Sequence, residues 1–177
     1  METKVQSPAG NALLYGAITG VIMILFTLIM YLANLYMVQW LQWVSLIFVI
    51  GGMVLGTLNY RTKITGGYIT FGKAFLSNFL IGLFASILAS IFFYFYVKYI
   101  NTGLIEESME AARQKMASSG GLSEEQIDKA IEIQSKFMTP AVMTFFGILF
   151  NAVLSVVLAL ILGLILKKED KNLQPFS

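Results

Sequence analysis

Residues 11–58 carry no Asp, Glu, Lys or Arg, and two further uncharged stretches follow at 74–97 and 141–166. A soluble domain of this length has no core large enough to hide so much uncharged apolar chain, whereas a bilayer accepts it directly. One crossing takes about 20 residues at a rise of about 1.5 Å each. The first stretch is long enough for two crossings and is interrupted by the more polar 34–39. The pattern therefore predicts four transmembrane helices, over about 11–33, 40–58, 73–97 and 140–166. Between the third and fourth lies the only long polar segment, 98–139. The expected fold is all-α, a polytopic membrane protein with four transmembrane helices and an external helical hairpin at 98–139, built as a single integral membrane domain over 1–177. The first apolar run is longer than the core of a signal peptide, about 7–15 residues, so it is expected to remain as an anchor.

The residue inventory excludes much chemistry. Cysteine and histidine are both absent, which removes disulfides, thiol redox chemistry, Cys/His zinc sites, axial haem histidines and Ser-His or Cys-His nucleophile pairs. No residue is assigned a catalytic, cofactor-binding or metal-ligating role, no cofactor is expected, and the chain reads as a non-enzyme. A net charge of +2, with basic residues in short groups beside the spans, argues against nucleic acid as a partner. The partner that composition demands is the lipid bilayer, and a second copy or another membrane protein is compatible with it.

Within the spans, small residues recur at intervals of four: Ala12, Gly16 and Gly20 in the first, Gly52 and Gly56 in the second, and Gly82, Ser86 and Ser90 in the third. The fourth carries the longest row, Gly147, Asn151, Ser155, Ala159 and Gly163. Lipid tails solvate Leu as well as Gly, so such rows are explained by close helix approach and are expected to be buried. Leu158 lies off the row, and its truncation is expected to matter less if that position faces lipid. Asn78, one turn inside the third span, reads as a structural hydrogen-bonding residue ahead of a solute ligand. Tyr31, Tyr36, Trp40 and Trp43 cluster at the first turn, and Phe92, Phe93, Tyr94, Phe95, Tyr96 and Tyr99 close the third span. Both sets suit an interfacial aromatic belt better than a cage for a cation.

The connections carry their own signals. Residues 59–72 read as a polar loop containing Arg61 and Lys63, with a turn at Gly66-Gly67. The run Gly66-Gly67-Tyr68-Ile69-Thr70-Phe71-Gly72-Lys73 is superficially like a phosphate-binding loop, but Ala74 stands where Ser or Thr is required. Lys73 is better explained as a side chain reaching from the helix to the interface. In 98–139, Ile105, Met109, Ala112 and Met116 predict one amphipathic helix, ended by Ser118-Ser119-Gly120-Gly121. A second starts at Ser123 with Gln126 as reciprocal cap and Leu122 placed to pack on Ile127, and continues with Ala130, Ile131, Phe137 and Met138 on its apolar side. Pro140 starts a new helix. Carboxylate pairs such as Glu106/Glu110 and Glu124/Asp128 are the charged faces of these helices, without the ligand pattern of a metal loop.

Alternating spans put Lys4, Arg61, Lys63, Lys73, Lys167, Lys168 and Lys171 on one side. By the positive-inside rule both termini are cytoplasmic and the hairpin is external. No ionisable residue lies in mid-span, as a proton-coupled pump would need, and no span is broken as in secondary transporters.

The element from Gly66 to Phe75, the Ser123-Glu124-Glu125-Gln126-Ile127 helix start and Thr139-Pro140 together resemble the Bacteroidetes membrane-protein family known as domain of unknown function 4199. That resemblance implies a bacterial inner (cytoplasmic) membrane protein and brings no functional residues with it. The expected role is a non-enzymatic interaction, assembly or structural component presenting its external hairpin. The alternative is a small-solute channel or transport component formed by oligomerisation.

Overall fold

The computed structural model describes residues 8–169. Its elements are α1 (Pro8–Leu32), α2 (Gln39–Lys63), α3 (Phe71–Phe95), a π-helical turn (Tyr96–Ile100), α4 (Leu104–Ser118), α5 (Glu124–Phe137) and α6 (Pro140–Leu166). Four helical stretches are long and apolar enough to cross a membrane: α1 with 25 residues, α2 with 25, α3 with its π-helical extension at 30, and α6 with 27. The protein is an all-α, multi-pass membrane protein. Lys4 and Lys171 lie outside the described residues.

The first connection is a Schellman turn. Asn34 takes the left-handed conformation at φ 54°, which Asn tolerates better than most residues, while Leu35 N–H donates to Met30 O at 2.8 Å and Asn34 N–H to Tyr31 O at 3.0 Å. Helix α2 then runs to Lys63, five residues beyond the expected end at Leu58. The expected loop 59–72 is correspondingly shortened to 64–70. Hydrophobicity stops at Leu58 but backbone hydrogen bonding does not, because the polar last turn finds partners on other helices. Asn59 Nδ2 donates to Asn11 Oδ1 at 2.7 Å, and Tyr60 is buried. Gly66 and Gly67 follow at φ 69° and 97°, a reversal that L side chains rarely adopt.

The chain divides into two compact units, one holding residues up to Ala89 together with those from Leu149 onward, the other Ser90–Ile148. In the first, Ala12, Met53, Ile81, Leu162 and Leu166 form a core to which all four long helices contribute. Glycine rows let the backbones meet. A Cβ on Gly16 would lie 2.6 Å from Phe84 Cβ and 3.0 Å from Ile81 O, so α1 rests directly on α3. Gly52 faces Thr19 and Gly56 faces Tyr15, bringing α2 against α1. A Cβ on Gly163 would lie 3.3 Å from the Phe75 backbone, so α6 closes on α3. The α6 row is buried at Ser155, Ala159 and Gly163. It is not buried throughout: at Gly147 an added Cβ would meet no atom within 4 Å.

In the second unit, Arg113 pairs with Asp128 and ties α4 to α5. The capping box forms as the spacing predicts: Ser123 Oγ accepts from Gln126 N–H at 3.4 Å, and Gln126 Oε1 accepts from Ser123 N–H at 2.9 Å. Ile105, Met109, Ala112 and Met116 are partly buried, and Ile127 is buried. Leu122 stays largely exposed. Phe137, expected on the apolar side, is 59% exposed, and Ile133 one turn before it is 58% exposed. The strip of α5 that is shielded is narrow, running through Ile127, Ala130, Ile131 and Gln134.

Candidate functional site

Two groups of polar side chains lie inside the first unit. The larger joins α1, α2 and α3 near the end where α6 finishes. Asn11 Nδ2 donates to Gly56 O at 3.0 Å while its Oδ1 accepts from Asn59. Thr57 Oγ1 lies 2.9 Å from Asn78 Oδ1 and 3.0 Å from Ser77 Oγ. A hydroxyl has one proton and the amide oxygen can only accept, so Thr57 donates to Asn78 and takes the Ser77 proton. Asn78 Nδ2 donates to Ala74 O at 2.9 Å. Asn78 is thus the structural residue that its position predicts, and its amide oxygen is occupied by a neighbouring helix.

Beside this network the chain ends of the unit are tied together. Arg61 Nη1 donates to Leu166 O at 3.1 Å, satisfying a carbonyl at the C-terminus of α6. Ile69 and Lys168 form an isolated antiparallel bridge, each N–H donating to the other's carbonyl at 2.8 Å. The bridge places the Lys168 ammonium 5.5 Å from the centre of the Tyr68 ring. The phosphate-loop-like run therefore serves as a turn and a clamp, with Lys73 exposed.

The second group lines a small cavity of about 20 Å³. Met23, Val49, Leu154 and Leu158 supply its apolar wall, and Gly82, Ser86, Asn151 and Ser155 its polar side. Gly82 lets α6 come close at the cavity wall: a Cβ there would lie 2.6 Å from Ser155 Oγ. No organic solute fits a volume that holds about one water.

Four of the hairpin carboxylates are committed to local pairs. Asp128 binds Arg113, Glu125 accepts from Lys129 at 2.7 Å, Glu132 from Lys136 at 3.1 Å, and Glu110 from Gln114 Nε2 at 3.0 Å. Among the described residues no group of three or more acidic side chains is placed to hold a metal ion. At the end of α3, Lys98 lies 5.4 Å and 5.3 Å from the Tyr94 and Tyr99 ring centres, and Asn101 Nδ2 donates to Tyr96 Oη at 3.0 Å. Lys98 so near its own helix's aromatic rings suits an interfacial belt.

Sequence reasoning missed the Arg61 cap, the Thr57 contribution and the cavity. Arg61 had a signal, being a basic residue in the last turn of a helix, but its partner is 105 positions away. The cavity depends on which small residues face each other, and single rows do not reveal that.

No curated protein and no solved structure matches the chain. A family model described as "Protein of unknown function (DUF4199)" matches residues 14–168. That match takes in most of the first span, the other three and the hairpin between the last two, and the chain belongs to this family.

Proposed function

We propose that this protein is a non-enzymatic component of a bacterial inner membrane whose α4–α5 hairpin is an interaction element. The observation that carries the reading is the pair Ile133 and Phe137, one turn apart on α5 and both more than half exposed. Two large apolar side chains outside the shielded strip of α5 are costly to leave in water, at about 25 cal/mol for each Å² of apolar surface. A contact that covers them recovers that energy. By the positive-inside rule, Arg61, Lys63, Lys73, Lys167 and Lys168 favour both termini in the cytoplasm and the hairpin outside.

The test is a photo-crosslinking residue at Ile133 or Phe137, and at the exposed charged position Lys129, in native membranes. The expected result is a discrete protein adduct from the two apolar positions and none from Lys129. Adducts to lipid alone, or none, overturn the reading. An adduct composed only of further copies of this chain supports the alternative, a small-solute channel formed by oligomerisation, because the cavity of about 20 Å³ among the described residues is too small to pass a solute. Sidedness is checked by cysteine at Ser119 and at Thr62. An impermeant thiol reagent on intact cells is expected to label the first and spare the second, and the reverse pattern overturns the orientation.

A further inference from the structure

We infer that the cavity lined by Ser86, Asn151 and Ser155 is a binding site for a single water molecule in the middle of the membrane-spanning bundle. Ser155 is only 3% exposed, and among the described residues its hydroxyl makes no hydrogen bond with protein. Yet no fully enclosed side-chain polar atom among those residues lacks a partner. The two facts agree only if the Ser155 Oγ opens onto the cavity it lines. A buried hydroxyl that meets neither protein nor water costs free energy that a water-sized guest recovers.

The chemistry of the walls selects the guest. Ser86 Oγ spends its proton on Leu83 O at 2.9 Å and keeps lone pairs for a donor. Ser155 has both a proton and lone pairs to give, and the Asn151 side chain borders the same space. No carboxylate, ammonium or guanidinium lines the cavity, so the guest is neutral. The volume of about 20 Å³ exceeds the room one water needs, about 10–15 Å³, and admits nothing larger. Depth follows from helix geometry: Ser155 lies about 16 Å along α6 from its end at Leu166, well inside the apolar span. A side chain at Gly82 would push the Ser155 hydroxyl from its place in the wall.

The experiment is water-to-amide magnetisation transfer by solid-state NMR on the full chain in lipid bilayers, with thermal unfolding of serine variants. Transfer from water is expected at the Ser155 and Gly82 amides and not at Ala159, which is buried one turn further along. Ser155→Ala is expected to weaken the transfer and lower Tm by about 2–4 °C, and adding Ser86→Ala is expected to lower it by less than the sum of the two single effects. If wild-type protein shows no transfer at Ser155 and Ser155→Ala raises Tm, the hydroxyl faces a dry gap and the inference falls. Equal transfer at Ala159 overturns it too, since water then permeates the helix contact generally.

Discussion

Arg61 and Leu166 are joined by a hydrogen bond of 3.1 Å from the guanidinium of one helix end to the last carbonyl of another. The donor is charged and the acceptor lies at the negative end of the α6 dipole, so both direct bonding and field favour the contact. Arg61 is only partly buried, which lets solvent screen it. Arg61→Ala is expected to cost about 1 kcal/mol, read as a Tm lower by about 2–4 °C in detergent. An unchanged midpoint would mean that the Ile69–Lys168 bridge alone holds the end of α6.

Gly51 and Gly16 make a matched pair for testing close packing. A Cβ on Gly16 meets Phe84 and the Ile81 carbonyl, whereas a Cβ on Gly51 meets no atom within 4 Å. Gly16→Ala is therefore expected to destabilise by about 1–3 kcal/mol, because α1 and α3 must separate. Gly51→Ala, gaining helix propensity worth up to about 1 kcal/mol, is expected to be neutral or stabilising. Equal effects in an unfolding titration would show that glycine content, not helix contact, governs the response.

The Thr57–Asn78 hydrogen bond is suited to a double-mutant cycle, since it joins side chains of α2 and α3 directly. Coupling between Thr57→Val and Asn78→Ala is expected near 0.6 kcal/mol and at most about 1.7 kcal/mol, the range for polar contacts between membrane helices. Strict additivity would place the stabilising bond elsewhere, with Ser77 as the first candidate.

The four spans and the Ser123 cap were legible in the sequence because each depends on a local pattern: uncharged length for the first, side-chain spacing for the second. The α6 helix begins at Pro140 and ends at Leu166, as its apolar run predicts. The end of α2 was not legible, since Asn59, Tyr60 and Arg61 stay helical through partners distant in sequence. The α6 row shows the same limit. Ser155 and Ala159 are buried as expected, but Gly147 belongs to a part of the helix where an added Cβ meets nothing. A row of small residues permits close approach without stating which neighbour comes, or along how many turns. Exposure of Phe137 has a related cause, because periodicity assigns a face but not the width of the strip a partner covers.

Leu158 does not meet the condition under which its truncation was expected to matter less. It does not point only to lipid: it packs against the core of the first unit and lines the cavity beside Ser155. Truncation there removes contacts and enlarges an existing gap that neighbouring helices, already in close contact at Gly82, cannot collapse to fill. Leu158→Ala is expected to cost about 1–3 kcal/mol, below the full range for a wholly buried leucine because the side chain is only partly buried. Leu164, on the same helix but 59% exposed, supplies the control. Leu164→Ala is expected to stay within about 0.5 kcal/mol, as for other surface positions. Thermal unfolding of both variants in one detergent decides the matter: a larger loss for Leu164→Ala would return Leu158 to the lipid-facing side and take away the apolar wall of the cavity.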